Sequence, residues 1–315
     1  MLHFLIQLKG KFVRPTLLTI LMCSCFSIAV SAQKGNQRVV VIGLDGFSTD
    51  GFKTARHPNL DTMIAAGVLS LTTRAVMPSV TLPNWTSHLT GSGPEEHGVT
   101  ANSWTVAKHP LEAIDTDQNG FYPSIFKVLK EQVPNVKTGY YYNWAELVNS
   151  MNTKYMDELS FEWNDKYDSN YQKAFNFIQK NRKDPTLVFL YSVHTDHAGH
   201  GHNWMSPQYI NAIEAADTAI GIFLNKLKSE NLYDNTHFIL ITDHGGSPKT
   251  GHGGTSMEEM LVPWAITGPL IKKNGITDMY NSNKNTALVI AKILGVKPEQ
   301  LPKSWTGILP TQIFK

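Results

Sequence analysis

The chain has 315 residues, a formal net charge of +2 and two cysteines. This length allows one large domain or two small ones, and the nearly balanced charge gives no indication of a nucleic-acid-binding surface. Both cysteines fall within the first 32 residues. A mature protein that lacks this segment therefore has no disulfide bonds, and any metal site in it must use Asp and His instead of thiolates.

The N-terminus has the pattern of a secretory signal peptide. Basic residues precede an apolar run over residues 17–30, and Val30-Ser31-Ala32 has the small side chains of a cleavage site. The apolar run is too short for a membrane-spanning helix. We therefore predict a signal peptide over residues 1–32, and a single catalytic domain over residues 33–315 with no membrane span.

Removal of the signal peptide changes the charge of the protein. Residues 1–32 contain three of the 28 Lys and Arg and none of the 26 Asp and Glu, so the mature chain has a net charge of about −1. We expect export to the periplasm or secretion. Two alternatives are a lipoprotein anchor on Cys23 or Cys25 and an uncleaved membrane anchor. The sequence gives no indication of the oligomeric state.

The first apolar run of the mature chain covers residues 38–44 and ends in Asp45-Gly46. A run that is apolar at nearly every position predicts a buried parallel strand, here with Asp45 at its carboxyl end. Residues 143–168 are aromatic and polar without a clear period, and we expect an insertion near the mouth of the site. Further strands are predicted over residues 71–76, 136–142, 186–193, 237–242 and 262–267, and helices over residues 59–67, 85–89, 122–132, 171–179, 207–230 and 285–294.

The alternation of strands and helices predicts an α/β fold with a doubly wound, mostly parallel sheet sandwiched by helices. In open sheets of this kind, ligands bind outside the carboxyl ends of the strands. Reactive side chains at those ends are therefore the candidates for a functional site.

One such position is the segment Pro78-Ser-Val-Thr81-Leu-Pro83-Asn84. Pro83 suits the first turn of a helix, and a hydroxyl just before that helix faces free N–H groups and the positive end of the helix dipole. Thr81 is therefore a candidate nucleophile for attack on a phosphoryl group, and Asn84 is a candidate side-chain donor to the same anion. The alternative is that Thr81 only caps the helix.

Acidic and imidazole side chains follow three of the predicted apolar strands, at their carboxyl ends and in the adjoining loops. They are Asp45, Asp196, His200, Asp243, His244 and His252. Zinc takes oxygen ligands from Asp and nitrogen ligands from His in four-coordinate sites. The residues therefore predict a metal site at one rim of the sheet, and manganese or iron would fit similar ligands.

These motifs resemble those of the type I phosphodiesterase/nucleotide pyrophosphatase family within the alkaline phosphatase superfamily. Leu44-Asp45-Gly46 resembles the first metal-ligand motif of the family, and the segment with Thr81 resembles its nucleophile motif. Asp196-His-Ala-Gly-His200 is similar to the Asp-x-x-Gly-His motif, and Thr242-Asp243-His244-Gly245 to the Asp-His-Gly motif.

The resemblance implies two divalent metal ions, by analogy Zn²⁺. One site would use Asp196, His200 and His252. The other would use Asp45, Asp243 and His244, with the oxygen of Thr81 bridging from this metal to the substrate. The family places its last histidine far downstream, whereas His252 follows the Asp-His-Gly motif almost at once, a spacing more similar to that of phosphoethanolamine transferases.

The resemblance implies a metal-dependent phosphoric ester hydrolase that cleaves a small-molecule phosphodiester, of nucleotide type or another, through a phospho-threonine intermediate. Alternatives within the superfamily are a phosphomonoesterase, a phosphonate hydrolase, and a phosphoethanolamine transferase or hydrolase. A sulfatase is excluded because Thr81-Leu-Pro83-Asn84-Trp85 lacks the Cys/Ser-x-Pro-x-Arg pattern. An exported metal-binding protein without turnover is the alternative from a different class.

Overall fold

A computed structural model describes residues 37–163 and 166–315 of the chain. The predicted signal peptide, residues 1–32, lies outside the described residues. The described residues fall within one compact unit, and the prediction of one catalytic domain over residues 33–315 stays a prediction. Among the described helices, none is both long enough and apolar enough to cross a membrane.

The described residues form an eight-stranded sheet with the strand order β4-β3-β5-β1-β6-β7-β2-β8. The strands are β1 (Arg38–Leu44), β2 (Gly67–Arg74), β3 (Lys137–Tyr142), β4 (Glu158–Phe161), β5 (Thr186–Ser192), β6 (Thr236–Ile241), β7 (Leu261–Thr267) and β8 (Gly275–Ile276). The strands from β4 to β6 are parallel, and β7 runs antiparallel to both β6 and β2.

Ten α-helices cover the two faces of the sheet in the described part of the chain. They are α1 (Thr49–Thr54), α2 (Pro58–Ile64), α3 (Thr81–Thr90), α4 (Pro94–His97), α5 (Ile125–Gln132), α6 (Tyr167–Lys180), α7 (His194–His202), α8 (Pro207–Ser229), α9 (Met257–Met260) and α10 (Thr286–Ile293). Short 3₁₀ turns, including Ala145–Ser150, complete the described connections.

The central strand β1 shows why the sheet is buried on both faces. All seven of its residues are buried, and because successive side chains point to opposite faces, Val39 and Val41 join one core while Val40 and Ile42 join the other. Helices α3, α5 and α10 pack in the first core, and α2, α6 and α8 in the second. The predicted α/β sheet sandwiched by helices is confirmed.

Two predicted boundaries were wrong near the antiparallel strands. The predicted helix 59–67 ends at Ile64, and β2 begins at Gly67 instead of Leu71. A side chain at Gly67 would place its Cβ only 1.9 Å from the carbonyl oxygen of Ile266 on β7. Glycine at this position therefore lets two strands approach, and it does not close a helix.

Two further predictions were wrong close to the carboxyl rim of the sheet. The helix expected from Trp85 starts at Thr81, so Thr81 lies inside its first turn and Val80 is the N-cap. Residues His194–His202, expected to be a loop, form α7. Both changes place reactive side chains on helices, where their directions are fixed more firmly than on a loop.

Candidate active site

The three central strands β5, β1 and β6 end next to one another and bring three carboxylates to one rim. Asp45 follows β1, Asp243 follows β6 by two residues, and Asp196 lies in the first turn of α7 directly after β5. Gly46 has a positive φ of 63°, and a Cβ there would lie 3.0 Å from Cα of Asp196. Glycine at position 46 therefore permits the close approach of the turn after β1 to α7.

The first group of predicted metal-ligating residues is completely buried. Asp45, Asp243 and His244 are each 0% exposed, and they offer ligand atoms that all lie within 4.8 Å of one another. The Nε2 atom of His244 lies 3.1 Å from Oδ2 of Asp243 and 3.6 Å from Oδ1 of Asp45. We call these three residues the buried triad.

In each carboxylate of the buried triad, one oxygen accepts hydrogen bonds from the protein and the other accepts none among the described residues. Oδ2 of Asp45 accepts hydrogen bonds from Nε1 of Trp85 and the hydroxyl of Tyr191, and Oδ1 of Asp243 accepts the N–H of Gly46. Oδ1 of Asp45 and Oδ2 of Asp243 have no hydrogen-bond partner among the described residues. Since a buried oxygen without a partner is costly, these two atoms fit the ligands of a cation.

The second group, the open triad, combines a helix and a loop. Asp196 and His200 lie one turn apart on α7, and His252 comes from the loop after β6. Nε2 of His200 lies 3.0 Å from Nε2 of His252 and 3.5 Å from Oδ2 of Asp196. The side chain of His200 is 54% exposed, and Oδ1 of Asp196 has no hydrogen-bond partner within the described part of the chain.

The two triads are neighbours. The imidazole ring of His252 stacks on that of His244, with centroids 3.8 Å apart and planes 10° apart. Two ions held by these triads would therefore lie side by side, as in two-metal sites that act on phosphate esters.

Backbone carbonyls select the histidine tautomer that a metal needs. Nδ1 of His244 lies 2.8 Å from the carbonyl oxygen of Gly245, and Nδ1 of His252 lies 3.1 Å from that of Ser79. Because a carbonyl only accepts hydrogen bonds, each Nδ1 carries the proton and each Nε2 keeps its lone pair. Burial and the neighbouring His244 lower the pKa of His252 to about 3, so its ring is neutral.

The acids of the buried triad resist ionisation in the absence of a cation. Burial, followed by the neighbouring carboxylates Asp243 and Asp196, raises the pKa of Asp45 well above its ordinary value. Burial raises the pKa of Asp243 to about 8, to which the charge of Asp196 also contributes. A divalent ion would remove this penalty by supplying the missing positive charge.

Thr81 lies directly beside the buried triad. Its Oγ1 is 3.4 Å from Nε2 of His244, and the residue is 6% exposed. It begins the ten-residue helix α3, so its hydroxyl lies at the positive end of a helix dipole. The structure thus brings the predicted nucleophile and the six predicted ligands together at one rim.

Asn84 does not have the surroundings that the sequence suggested for it. It is fully buried, and its Nδ2 donates to the carbonyls of Val80 and Pro78 at 2.9 and 3.0 Å. Its Oδ1 accepts the N–H of Val76 at 2.7 Å. The amide therefore organises the segment before Thr81, and it does not present a donor to a substrate.

Asn102 is a site residue that sequence reasoning missed. Its Oδ1 accepts the N–H of Leu82, the residue after Thr81, at 2.8 Å, and Asn102 is only partly buried. This contact fixes a side-chain amide beside the residue that follows the predicted nucleophile. The segment around Asn102 lies in none of the predicted helices or strands, and no spacing relative to Thr81 marks it in the sequence.

Comparisons with known proteins agree with the fold and the motifs. A sequence model of the type I phosphodiesterase/nucleotide pyrophosphatase family matches residues 39–294. An uncharacterized pyrophosphatase/phosphodiesterase of Schizosaccharomyces pombe is 28% identical over 225 residues, which are 67% of this chain and 45% of the relative. Mouse ectonucleotide pyrophosphatase/phosphodiesterase family member 3 is 24% identical over 215 residues, 66% of this chain and 24% of that protein.

A solved structure shows the same fold. Murine ectonucleotide pyrophosphatase/phosphodiesterase 5, as an inactive threonine-to-alanine variant in complex with AMP, has a TM-score of 0.70 with 16% identity, and the match covers 84% of this chain and 96% of that one. The chain spans less than half of the length of the two relatives compared by sequence.

Proposed function

Because the chain belongs to the type I phosphodiesterase/nucleotide pyrophosphatase family, we propose that it hydrolyses phosphodiester bonds with two divalent metal ions and a phospho-threonine intermediate. The observation that carries this proposal is the position of the Thr81 hydroxyl, 3.4 Å from Nε2 of His244 and beside carboxylate oxygens without partners. The AMP complex of the murine relative favours a nucleotide-type diester as the substrate.

The residues present fit two cations. The buried triad would hold one ion and the open triad the other, and the mixture of Asp oxygen and His nitrogen ligands favours zinc. When bound, the ions supply Lewis-acid stabilisation of the attacking and leaving oxygens and lower the pKa of the nucleophile.

The chain itself supplies the nucleophile and its positioning. Oγ1 of Thr81 gives up its proton to solvent and attacks phosphorus, and an Oγ1–P bond forms as the bond from phosphorus to the leaving oxygen breaks. The leaving oxygen takes up a proton from water. Water then cleaves the phospho-threonine and restores the hydroxyl. The amide of Asn102, oriented by the N–H of Leu82, donates to a non-bridging oxygen of the phosphoryl group.

We also propose that the protein is exported, to the periplasm or as a secreted protein. The support is the pattern of residues 1–32, in which an apolar run ends at a small-residue cleavage site. Several relatives are named ectonucleotide pyrophosphatase/phosphodiesterases, which also favours a location outside the cell.

A second candidate function is that of a phosphoethanolamine transferase of the same superfamily. It is favoured by the position of His252, which completes the open triad from the loop that directly follows His244. The two candidates share the nucleophile and the metals, and they differ in the ester that they cleave.

The test compares the purified protein with its Thr81→Ala variant, each with its zinc content measured. Both are assayed on bis(p-nitrophenyl) phosphate, p-nitrophenyl phosphate and p-nitrophenyl sulfate. We expect about two zinc ions per chain, cleavage of the diester, and loss of that activity in the variant without loss of zinc.

A strong preference for the monoester would replace the proposed diesterase with a phosphomonoesterase. Two bound zinc ions without cleavage of any ester would instead favour a binding protein or a narrow transferase. Full diesterase activity in Thr81→Ala would exclude Thr81 as the nucleophile.

A further inference from the structure

The open triad depends on a loop with few internal hydrogen bonds. We call residues 247–256 the His252 loop. Its first part is closed by a pair of backbone hydrogen bonds between Ser247 and Gly251, at 2.8 and 2.9 Å. The second part, from His252 to Ser256, is held by hydrogen bonds to residues outside the loop. The position of His252 is therefore set by those outside contacts.

Ser79 forms three of these contacts. It is fully buried, and its hydroxyl donates to the carbonyl of Gly254 at 2.8 Å and accepts the N–H of Gly253 at 3.1 Å. Its own carbonyl accepts the Nδ1 proton of His252 at 3.1 Å. A serine hydroxyl can donate one hydrogen bond and accept others through its lone pairs, and the Ser79 hydroxyl does both with the same loop.

Glu259 holds the loop from its other end. Its carboxylate accepts the N–H of Gly254 at 2.9 Å through Oε1 and the N–H of Ser256 at 3.0 Å through Oε2. Its backbone carbonyl accepts the N–H of Gly245, next to His244, at 2.9 Å. Glu259 is 3% exposed, so water does not compete well for these hydrogen bonds.

The two anchors connect the loop to different parts of the site. Ser79 lies two residues before Thr81, in the segment that leads into α3, whereas Glu259 is tied through Gly245 to the buried triad. A displacement of the His252 loop would therefore be transmitted to the nucleophile segment through Ser79. The same contact would transmit a displacement of that segment to His252.

We propose that Ser79 and Glu259 clamp the His252 loop, and that Ser79 is a positioning residue that sets the open metal site relative to Thr81. This inference rests on the function proposed above. It assigns to Ser79 a role that requires no contact with substrate or metal. Its consequence is that removal of the Ser79 hydroxyl weakens metal binding at one triad only.

The test is a zinc titration of the metal-free full-length protein and its Ser79→Ala variant. We expect the buried triad to bind zinc as in the wild type, and the open triad to bind it about 10–100-fold more weakly, the usual effect of losing a partner that orients a metal ligand. Ser79→Thr keeps the hydroxyl and should retain two sites of wild-type affinity.

Ser247→Ala is the matched control. Its hydroxyl lies in the same loop and accepts only the N–H of Lys249 among the described contacts, at 3.2 Å, so its loss should leave both zinc affinities unchanged. Turnover supplies a second readout. Ser79→Ala should lose turnover at low zinc and regain most of it at saturating zinc, whereas turnover of Ser247→Ala should depend on zinc as in the wild type.

The proposal is overturned if Ser79→Ala binds two zinc ions with wild-type affinities, or if both sites weaken equally. It is also overturned if Ser79→Thr folds like the wild type and behaves like Ser79→Ala. Should Ser79→Ala fail to fold, Glu259→Gln tests the other anchor and must weaken the open site selectively. Because zinc binding is measured without turnover, an absence of diesterase activity would contradict the proposed function and leave this inference standing.

Discussion

The two triads have similar ligands and very different surroundings. Asp45, Asp243 and His244 are completely buried, and hydrogen bonds from core residues fix one oxygen of each carboxylate. His200 of the open triad is 54% exposed, and His252 belongs to a loop. The sheet therefore builds one rigid site from its strand ends, and the connections build a second site that solvent reaches.

This difference in burial predicts that the two sites differ in metal affinity and in the rate of metal exchange. A buried site with oriented carboxylates should hold its ion tightly and exchange it slowly, because release requires unpaired charges in the core. A site with an exposed histidine should exchange its ion faster. Thr81 lies beside the buried triad, so the predicted nucleophile is next to the site that should hold its ion more firmly.

The largest effect should come from damage to the buried triad. Asp45→Asn removes a charge that a cation needs and should lower diester turnover by more than about 10³-fold, with loss of the buried zinc. Tyr191→Phe is the matched control, because it keeps the carboxylate and removes one orienting donor, for a loss of roughly 10–100-fold. Two tightly bound zinc ions in Asp45→Asn would refute the assignment of the buried site.

The two asparagines near Thr81 separate catalysis from stability. Asn102→Ala should lower kcat by about 10²-fold, the usual effect of losing one donor to a developing oxyanion, with a loss in the free energy of unfolding of only about 1 kcal/mol from the released N–H of Leu82. Asn84→Ala should instead lower the free energy of unfolding by roughly 2–4 kcal/mol, because it leaves buried backbone groups without partners. Steady-state kinetics and chemical denaturation of both variants measure the contrast, and the reverse pattern would exchange the two roles.

A smaller and reversible effect is expected at the open triad. His200→Ala should lower turnover by roughly 10-fold or more at low zinc, with recovery as zinc is added. Its neighbour on the same helix, His202, is exposed and lies outside both triads, so His202→Ala is the control. Zinc release to a chelator should have two phases in the wild type, and the variant should lack the fast one. A single phase in the wild type would mean that the triads do not differ as their burial suggests.

The same contrast explains what the sequence could predict. The buried triad follows apolar runs whose ends carry Asp-Gly and Asp-His-Gly, and these are local signals that place Asp45 and Asp243 at strand ends. Residues 194–202 contain four histidines and two glycines with no apolar period, so nothing local predicts α7. This helix is instead supported by tertiary contacts, such as the hydrogen bond from the hydroxyl of Thr195 to the carbonyl of Asp45.

Asn84 and Asn102 show that the hydrogen-bond partners of single side chains could not be predicted from the sequence. Asn84 is close to Thr81 in sequence, and its amide was expected to face the substrate. Its partners are backbone carbonyls of its own segment and the side chain of Asn283, which lies far along the chain. Asn102 has no sequence signal, yet it contacts the residue after Thr81. Sequence shows which groups exist, and only the packing shows where their hydrogen bonds go.

The smallest predicted effect concerns the metal-free protein, and it depends on the burial of one triad. Asp243, surrounded by Asp45, Asp196 and His244, has a pKa raised by burial from 3.8 to about 8. A carboxyl with a raised pKa binds more protons in the folded than in the unfolded state, so the contribution of Asp243 to the stability of the metal-free protein falls as the pH rises from about 4 to 8. Burial lowers the pKa of histidines such as His88 and His237, and their opposite contribution is complete above the ordinary histidine pKa of about 6.5.

In a chelator, the melting temperature should therefore drop by a few degrees between about pH 6.5 and pH 8. Asp243→Asn has no charge to bury, so it should drop less and should melt above the wild type at pH 8. Ser247→Ala is the control, because it removes no ionisable group and only a contact to the N–H of Lys249, so it should keep the wild-type slope. A melting temperature that rises between about pH 6.5 and pH 8 in the metal-free wild type would mean that these carboxylates are solvated, and the distinction between a buried and an open triad would be lost.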